Sequence, residues 1–451
     1  MNITMMGAGY VGLVSGAGLA DFGLSVCCVD VNSEKIRMLN EGRLPIYEPG
    51  LHEVIRRNLA NGRLMFSENI TKAIQNSLVV FVAVGTDSRT DGRVDLSQVW
   101  AAVDMVGESA AEYKVLVIKS TVPVGTAASV QERLRHVVKP PVEIDVVSNP
   151  EFLREGSGVE DFFHPNRIVI GSSSGRAAAI VKDIYRPLYL IETPIISTSW
   201  QSAELIKYAS NSFLALKVSF VNELANLCEA IGPSADVHVV CRALGLDKRI
   251  GSKFLHPGAG FGGYCFPKDT RGLLQIAKRY GEGFKTIQAA VDVNDHQYTY
   301  SVNKIKKGLG DLRGKIVAVL GLAFKPQTDD VRESRSLKIC EALLAEGCVL
   351  RVFDPAAMEN GARLLPKEGV VLCQDAYDAV RGCDGIIVVT EWNEFRNMDL
   401  VKVKQSMRGN VLVDVRNIYN SAQAEELRFR YFGTGRGSRF DPQERDVPSG
   451  F

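Results

Sequence analysis

The sequence predicts an α/β protein with an N-terminal Rossmann doubly wound sheet, a long central helix with a helical domain, and a C-terminal Rossmann-like α/β domain. Short apolar segments alternate with helix-length segments at both ends of the chain, and one long helical pattern separates the two regions. The 451 residues are too many for a single core. We therefore expect domains at 1–198, 199–307 and 308–434, followed by a flexible tail at 435–451.

Apolar, β-branched runs predict the strands of the first domain at 3–6, 25–29, 79–84, 115–119, 143–147 and 167–170. Because helix-length segments separate these runs, we expect the six strands to pair in parallel. The carboxyl ends of parallel strands meet at one edge of an open sheet, where ligands bind. This edge is therefore the expected place for functional residues.

A single helical pattern covers 199–231 and is about 50 Å long at 1.5 Å per residue. A helix of this length typically connects domains or forms a dimer core. Its wide apolar face comprises Leu205, Ile206, Phe213, Leu216, Phe220, Leu224, Leu227 and Cys228. Strands of the C-terminal domain are predicted at 316–320, 349–353, 370–372, 385–389 and 411–415.

The composition argues against several classes of protein. The 53 basic and 52 acidic residues give a net charge of +1, so neither nucleic acid nor an anionic membrane is an expected partner. The uncharged segment 2–20 lacks a preceding basic region and contains glycines at helix-packing positions, which argues against a signal peptide or a membrane span. The nine cysteines and six histidines form no ligand-spaced cluster, so we expect no metal site, reduced thiols and a cytoplasmic location.

A glycine-rich turn between the first strand and its helix predicts a dinucleotide site. Gly7, Gly9 and Gly12 form the GxGxxG pattern: the first permits the tight turn, the second a close approach of pyrophosphate, and the third close helix packing. Asp30 ends the second strand, where a carboxylate binds a ribose 2′-hydroxyl and repels a 2′-phosphate. The expected cofactor is therefore NAD.

Polar residues also follow the third, fourth and fifth predicted strands. They are Gly85 and Thr86, Ser120 and Thr121, and the carboxylates Glu151 and Glu155. Their positions place them at the ligand edge of the sheet. For the two glutamates, a pair of surface charges is the alternative interpretation.

Three polar residues of the long helix lie on one face. Glu204, Lys207 and Asn211 are spaced i, i+3 and i+7, which places Lys207 and Asn211 one turn apart. An ammonium and an amide arranged in this way can donate to one developing oxyanion. A solvated helix face is the alternative.

Cys265 lies in the segment GFGGYCFPKD, at 260–269, immediately before a predicted helix that has Pro267 at its first position. The glycines permit close approach of a ligand, and both the helix N-terminus and Lys268 are expected to lower the thiol pKa. A buried structural cysteine is the alternative. The setting favours a nucleophile.

The chain resembles the UDP-glucose/GDP-mannose dehydrogenase family over nearly all of 1–437. The resemblance rests on GAGYVG at 7–12, PIYEPGL at 45–51, KSTVP at 119–123, NPEFLREG at 149–156, AELIKY at 203–208 with Asn211, RIG at 249–251, the segment 260–269, GLAFK at 321–325 and DVRES at 330–334. It implies an NAD-dependent, four-electron oxidation of a nucleotide-sugar C6 alcohol to a carboxylate, through a thiohemiacetal and a thioester on Cys265. UDP-glucose is the favoured substrate, and GDP-mannose is the alternative.

The resemblance also assigns roles to matching positions. The implied catalytic residues are Cys265, Lys207, Asn211, Asp269, Thr121 and Glu151. The implied cofactor contacts are Gly7, Gly9, Tyr10, Val11, Gly12, Asp30, Lys35, Gly85, Thr86, Ser120, Thr121, Glu155, Lys268 and Arg332. The implied substrate contacts are Glu151, Phe152, Leu153, Arg154, Glu155, Lys207, Asn211, Arg249, Phe254, Gly262, Cys265, Phe324, Lys325 and Arg416.

In relatives the arginine matching Arg249 crosses a dimer interface, so a homodimer or higher homo-oligomer is expected. Two residues depart from the common family pattern: Tyr264 stands where many members carry Ser, and Asp87 where Pro is usual. Two other functions stay open at this point. A two-electron hydroxyacid dehydrogenase would need no thiol, and a non-catalytic NAD-binding protein would need none of the polar set.

Overall fold

The structure, a computed structural model, describes residues 1–89 and 91–437. The chain forms two compact units. Unit 1 comprises Met1–Ser210 and Arg271–Gly283, and unit 2 comprises Asn211–Thr270 and the described residues from Phe284 onward. The division into three domains at 1–198, 199–307 and 308–434 stays a prediction.

The elements up to the first unit boundary are β1 (Asn2–Met6), α1 (Tyr10–Asp21), β2 (Ser25–Val29), α2 (Ser33–Asn40), α3 (Leu51–Ala60), β3 (Leu64–Ser67), α4 (Ile70–Gln75), β4 (Val79–Val82), α5 (Ser97–Ser109), β5 (Lys114–Ile118), α6 (Thr126–Val137), β6 (Ile144–Ser148), α7 (Gly158–Phe163), β7 (Ile168–Ser172), α8 (Gly175–Ile184), a 3-10 helix (Arg186–Ile191), β8 (Ile195–Thr198) and α9 (Trp200–Ile231), which continues across the boundary.

The elements that follow are α10 (Val237–Leu246), α11 (Cys265–Arg279), α12 (Lys285–Leu309), β9 (Ile316–Leu320), α13 (Arg335–Ala345), β10 (Val349–Phe353), α14 (Met358–Leu364), β11 (Val370–Leu372), α15 (Ala376–Val380), β12 (Gly385–Val388), α16 (Asn393–Arg396), α17 (Leu400–Ser406), β13 (Val411–Asp414), α18 (Ser421–Glu426) and β14 (Arg430–Gly433). Among the described residues, none of these helices is long and apolar enough to cross a membrane.

The sheet of unit 1 has eight strands within the described residues, in the order β3-β2-β1-β4-β5-β6-β7-β8. The prediction of six parallel strands is wrong in two respects: β3 and β8 are additional, and β7 runs antiparallel to β6. Both additional strands lie at sheet edges. β3 alternates buried and more exposed residues, with Met65 53 % exposed, and no residue of β8 is buried. The six residues of α7 rise only about 9 Å, whereas a five-residue strand spans roughly 17 Å. The helix therefore does not carry the chain back to the amino ends of the strands, and β7 runs antiparallel to β6.

The sheet of unit 2 is parallel, with six strands within the described residues in the order β11-β10-β9-β12-β13-β14. The sixth strand, β14, was not predicted. This order matches that of the first six strands of unit 1, β3-β2-β1-β4-β5-β6. The chain therefore contains the same doubly wound arrangement twice.

The end of the described chain is held by hydrogen bonds. Gly435 N donates to Glu229 Oε1 at 2.7 Å, and Val237 N donates to the carbonyl oxygen of Gly435 at 2.9 Å. These bonds attach Gly435 to α9 and α10, and the flexible tail from 435 stays a prediction. The remainder of that predicted tail lies outside the described residues.

Glu204, which the sequence placed beside Lys207 on the polar face of α9, has a structural role. Its buried carboxylate accepts hydrogen bonds from Gly125 N and Ala127 N, both at 2.7 Å, at the start of α6. The first N–H groups of a helix have no intrahelical acceptor, and Glu204 supplies one for α6. Burial raises the pKa of Glu204 to about 7 despite these two bonds.

Replacement of Glu204 is expected to destabilise unit 1. Glu204→Ala leaves two buried N–H groups without an acceptor and should lower the free energy of unfolding by about 1–3 kcal/mol. Glu204→Gln keeps one carbonyl acceptor and should lose less. Urea unfolding and amide exchange at Gly125 and Ala127 measure the effect, and equal stability of the wild type and the alanine variant would contradict it.

Candidate active site

The turn between β1 and α1 has the space that a pyrophosphate needs. Gly7 has a φ of 99°, and a Cβ there would lie 2.5 Å from the carbonyl oxygen of Ala83. A Cβ on Gly12 would overlap the carbonyl oxygen of Gly7. Gly9, the N-cap of α1, faces open space, with nothing within 4 Å of a Cβ built there. The first N–H groups of α1 are thus accessible to an anion.

Asp30 follows β2 beside this turn. Its carboxylate accepts hydrogen bonds from Ala8 N at 2.8 Å, Asn32 N at 2.9 Å and Lys35 Nζ at 2.9 Å. Burial opposes ionisation, but the three bonds and the charge of Lys35 outweigh it and hold the pKa of Asp30 below its usual value. A charged acceptor at this position suits a ribose diol and disfavours a 2′-phosphate. The turn and Asp30 therefore fit NAD.

Glu48 connects the cofactor turn with the loop after β6. Its buried carboxylate accepts hydrogen bonds from Gly156 N and Gly158 N, both at 2.6 Å, and from the Tyr10 hydroxyl at 2.8 Å. Burial and the charge of Glu48 raise the pKa of Tyr10 well above its ordinary value. Glu48 was not predicted as a functional residue, although its position in an apolar, proline-flanked motif indicates burial.

A buried ion pair lies at the ligand edge of this sheet. Lys207 Nζ, on α9, donates to Glu151 Oε1 at 2.9 Å, and both side chains are less than 8 % exposed. Burial opposes ionisation of Glu151, but the charge and hydrogen bond of Lys207 and the bond from Leu153 N outweigh it and hold the pKa of Glu151 below its usual value. Glu151 is therefore ionised at neutral pH. The alternatives of a surface charge pair and a solvated helix face are wrong for these two residues.

A second buried lysine lies close to this pair. Lys119 Nζ lies 3.2 Å from Asn149 Oδ1 and 3.3 Å from the Tyr185 hydroxyl. Burial lowers the pKa of Lys119 to about 8, against the attraction of Glu151. Lys119 and Tyr185 were not predicted as functional; KSTVP contains Lys119, but no spacing rule singles it out.

The loop after β6 orients the side chains around the pair. The ring of Phe152 lies 3.5 Å from Arg167 Cζ and 5.4 Å from Lys207 Nζ, measured from its centroid. Both distances are in the cation–π range. Arg154 forms an ion pair with Asp161 at 2.6 Å. These contacts restrict the positions available to the loop that carries Glu151.

The other predicted residues at this edge lie at strand ends as expected. Thr86 and Ser120 are buried, and the Ser120 hydroxyl donates to the carbonyl oxygen of Val84 at 2.7 Å. Thr121 is half-buried. A Cβ on Gly85 would lie 3.4 Å from the Gln98 amide, whereas Val11 packs against the core of unit 1.

In unit 2, Cys265 is the first residue of α11. Pro267 is therefore the third helical residue, so its predicted first position is wrong; it is tolerated because N–H groups of the first turn need no intrahelical acceptor. Cys265 is half-buried. Burial raises the pKa of each of the other cysteines, Cys27, Cys28, Cys228, Cys241, Cys340, Cys348, Cys373 and Cys383.

Two residues that the sequence analysis missed hold the loop before Cys265. Asn294 of α12 accepts a hydrogen bond from Phe261 N at 2.6 Å and donates to the carbonyl oxygen of Phe261 at 3.1 Å. Arg335 Nε donates to the same oxygen at 3.0 Å. Gly260, with a φ of 112°, allows this approach, because a side chain there would clash with Asn294. No local pattern in the sequence indicates these long-range bonds.

Asp269 links two of the predicted residues. Its carboxylate accepts from Lys268 Nζ at 2.8 Å and from Asn211 Nδ2 at 2.6 Å. Lys268 and Asp269 are both buried, at 5 % and 1 % exposure. Asn211 is thus joined to the fifth residue of α11 within unit 2. The predicted cooperation of Asp269 with Thr121, a residue of unit 1, stays a prediction.

The residues predicted to contact the nucleotide lie on the loops of unit 2. Arg416 NH2 donates to Glu391 Oε1 at 2.6 Å, and a Cβ on Gly258 would lie 2.5 Å from Arg416 NH1. Burial lowers the pKa of Arg416, but Glu391 outweighs this and raises it overall. Lys325 Nζ lies 5.4 Å from the ring centroid of Phe324.

The remaining predicted residues are distributed around unit 2. A Cβ on Gly262 would lie 3.3 Å from Phe324 Cβ. Phe254, with a φ of 64°, packs against Phe266 with centroids 6.0 Å apart. Arg249, whose side chain is 89 % exposed, pairs with Asp247 at 2.6 Å. Among residues 1–89 and 91–437, no group of three or more His, Cys, Asp and Glu side chains could hold a metal ion.

Three family models match the chain. They are the NAD binding, central and UDP binding domains of the UDP-glucose/GDP-mannose dehydrogenase family, at 1–189, 201–296 and 318–421. The UDP-glucose 6-dehydrogenase of Rhizobium meliloti is 47 % identical over 97 % of this chain and 100 % of its own length. UDP-glucose 6-dehydrogenase TuaD of Bacillus subtilis is 44 % identical over 96 % of this chain and 93 % of its own length.

A solved structure has the same fold over almost the whole chain. The UDP-glucose dehydrogenase of Pyrobaculum islandicum superposes with a TM-score of 0.89 at 40 % identity, covering 97 % of this chain and 98 % of that one. The dinucleotide turn, the buried Lys207–Glu151 pair and the cysteine at the start of α11 thus occur in a chain that matches all three family models. The chain belongs to the UDP-glucose/GDP-mannose dehydrogenase family, and it is an NAD-dependent oxidoreductase.

Proposed function

We propose that this chain oxidises the C6 alcohol of UDP-glucose to a carboxylate, consuming two NAD per sugar and passing through intermediates bound to Cys265. The observation that carries the proposal is the position of Cys265, half-buried at the start of α11 in a loop fixed by Asn294 and Arg335. A thiol at a helix N-terminus is favoured as a thiolate nucleophile. The names and coverage of the relatives support the choice of substrate.

The cofactor, when bound, would accept a hydride from C6 in each of the two oxidations, and in the first the hydroxyl proton passes to water. After the first oxidation the Cys265 thiolate attacks the aldehyde carbon, forming a C–S bond while the carbonyl π electrons move to oxygen. Lys207 and Asn211, one turn apart on α9, stabilise this oxyanion. Because the aldehyde is held covalently, it neither hydrates nor escapes before the second oxidation.

The second oxidation converts the thiohemiacetal into a thioester, which water then hydrolyses. The water oxygen forms a bond to the acyl carbon, the C–S bond breaks, and the thiolate is regenerated with release of the carboxylate. Asp269 and Thr121 hold the attacking water, and Glu151 accepts its proton directly or through a second water. Glu151 is ionised because its pKa lies below the usual value, which leaves it able to accept a proton but makes it a weak base.

The cofactor and substrate contacts complete the proposal. The glycines of the β1–α1 turn, Tyr10, Val11, Asp30, Lys35 and the residues at strand ends bind NAD, together with Glu155, Lys268 and Arg332. The loop Phe152–Glu155, Phe254 and Gly262 surround the sugar, whereas Phe324, Lys325 and Arg416 bind the nucleotide. Lys325 and Arg416 form the cationic pair that suits a diphosphate, and Glu391 holds the guanidinium of Arg416 in place.

We also propose a homodimer or higher homo-oligomer that works in the cytoplasm. Phe213, Phe220 and Leu227 recur every seven residues along α9 and are 61 %, 51 % and 55 % exposed, which supports burial against a second copy. Arg249, also exposed, is available to reach the neighbouring subunit's substrate. No disulfide joins any of the nine cysteines, all within the described residues, which supports a reducing compartment.

Product stoichiometry tests the reaction. The wild type should form two NADH per UDP-glucose, and GDP-mannose should give little or no NADH. Cys265→Ser should lower kcat by about 10³-fold or more, because a hydroxyl is a far weaker nucleophile than a thiolate. Absorbance at saturating NAD with limiting sugar measures the yield. One NADH per sugar, or full activity in Cys265→Ser, would refute the thioester route.

The pH dependence of stability tests the burial of Lys119. Its pKa falls from 10.5 unfolded to about 8 folded, so between these pH values the unfolded chain binds more protons. Stability contributed by this site therefore rises as pH increases from about 8 to about 10.5. Lys119→Met should remove that rise, measured as the shift of the urea midpoint with pH. The exposed Lys72→Met is the control, and retention of the rise in Lys119→Met would contradict the assignment.

Sedimentation velocity tests the exposed face of α9. Phe220→Asp should shift the protein towards smaller species, because a carboxylate would be buried without a partner at the interface. Tyr280→Asp, at an exposed aromatic residue outside α9, is the matched control and should behave as wild type. A monomeric wild type, or an unchanged distribution in Phe220→Asp, would contradict the proposed interface.

A further inference from the structure

Tyr264, the residue before Cys265, has two cationic side chains over its ring. Arg332 Cζ lies 4.3 Å and Lys268 Nζ lies 5.4 Å from the ring centroid. Both distances are within the roughly 6 Å over which a cation is attracted to an aromatic face. Tyr264 is half-buried, so this attraction is only partly weakened by solvent. One ring therefore holds two positive charges beside the thiol.

The contact with Arg332 is supported by the backbone. Gly263 N donates to the carbonyl oxygen of Arg332 at 2.9 Å, and a Cβ on Gly262 would clash with the carbonyl oxygen of Glu333. The two segments thus lie directly against each other. Arg332 also forms two hydrogen bonds with Asp330, both at 2.8 Å, which fix the plane of its guanidinium.

The contact with Lys268 continues into the residues proposed to act in catalysis. Lys268 Nζ bonds to Asp269 Oδ1 at 2.8 Å, and Asp269 Oδ2 accepts from Asn211 Nδ2 at 2.6 Å. Lys268 is 5 % exposed, so its ammonium has few other orientations that satisfy its charge. A displacement of Lys268 would therefore alter the carboxylate that orients the Asn211 amide.

We propose that Tyr264 is a positioning residue, whose ring holds Lys268 and Arg332 together and thereby keeps Asp269 and Asn211 aligned for chemistry at Cys265. The inference rests on the proposed function, which assigns Asp269 and Asn211 to the thioester route. The negative face of the ring offsets the repulsion between the two cations. A serine at this position would have no such face, so it could not hold the two cations in the same way.

Kinetics of Tyr264→Ser and Tyr264→Phe test the proposal. Phenylalanine keeps the ring, so kcat should stay within about twofold of wild type; serine should lower kcat about tenfold. The KM for UDP-glucose should change less than about twofold in both, since the ring positions catalytic groups rather than binding the sugar. Wild-type kcat in Tyr264→Ser, or an equal loss in both variants, would overturn the proposal.

A double-mutant cycle with Lys268→Met separates positioning from a general loss of structure. If the ring acts through Lys268, the losses of kcat from Tyr264→Ser and Lys268→Met should not add; purely additive losses would overturn the proposal. The same cycle on thermal unfolding midpoints needs no activity, so it decides the Tyr264–Lys268 contact even if UDP-glucose is not a substrate. Non-additive changes in the unfolding midpoint support the contact, and additive changes reject it. The proposed function is decided separately, by the NADH yield of the wild type.

Discussion

The ion pair between Lys207 and Glu151 is the contact on which the rest of the site in unit 1 depends. A buried carboxylate or ammonium without its partner is strongly unfavourable, by about 3–5 kcal/mol when one member of such a pair is removed. The loop after β6 must therefore present Glu151 to α9, and Glu48 fixes the end of that loop through Gly156 N and Gly158 N. The ring of Phe152 contacts the ammonium of Lys207, and Leu153 N donates to Glu151, so both side chains of the pair have few other positions.

The elements that could be predicted from the sequence are those whose apolar pattern lies within the element itself. Strands with fully buried, β-branched runs, such as β9 and β10, were predicted to the residue, and α9 to within one residue. The edge strands β3 and β8 were missed because half or more of each is not buried, whereas β14 was missed although three of its four residues are buried. Of the candidate site, the glycine turn, Asp30, Glu151, Lys207 and Cys265 were predicted from local patterns and stay predictions as functional residues. Glu48, Lys119, Asn294 and Arg335 have hydrogen-bond partners far away in the chain, and no spacing rule detects them.

The two sheets share a strand order, and in each an aspartate follows the strand that comes second in sequence in that sheet. The two aspartates differ in their hydrogen-bond partners. Asp30 follows β2 and accepts one bond from the glycine turn, at Ala8 N. Asp354 follows β10 and accepts bonds from Leu322 N at 2.7 Å, and from Ala356 N and Ala357 N at 2.9 Å each. It is 1 % exposed, so it stabilises the loop after β9 and is not presented to a ribose. The same topology thus supports a dinucleotide site in unit 1 and a different use of the loop in unit 2.

The raised pKa values of eight cysteines have a practical consequence for work with this protein. Because the thiolate is the reactive form, a raised pKa slows the reaction of these eight sulfurs with electrophiles at neutral pH. Under the proposed function, a limiting electrophile would react first at Cys265, and the mass gained per chain would report the number of proposed catalytic thiols. Such labelling needs no substrate and no removal of the other cysteines.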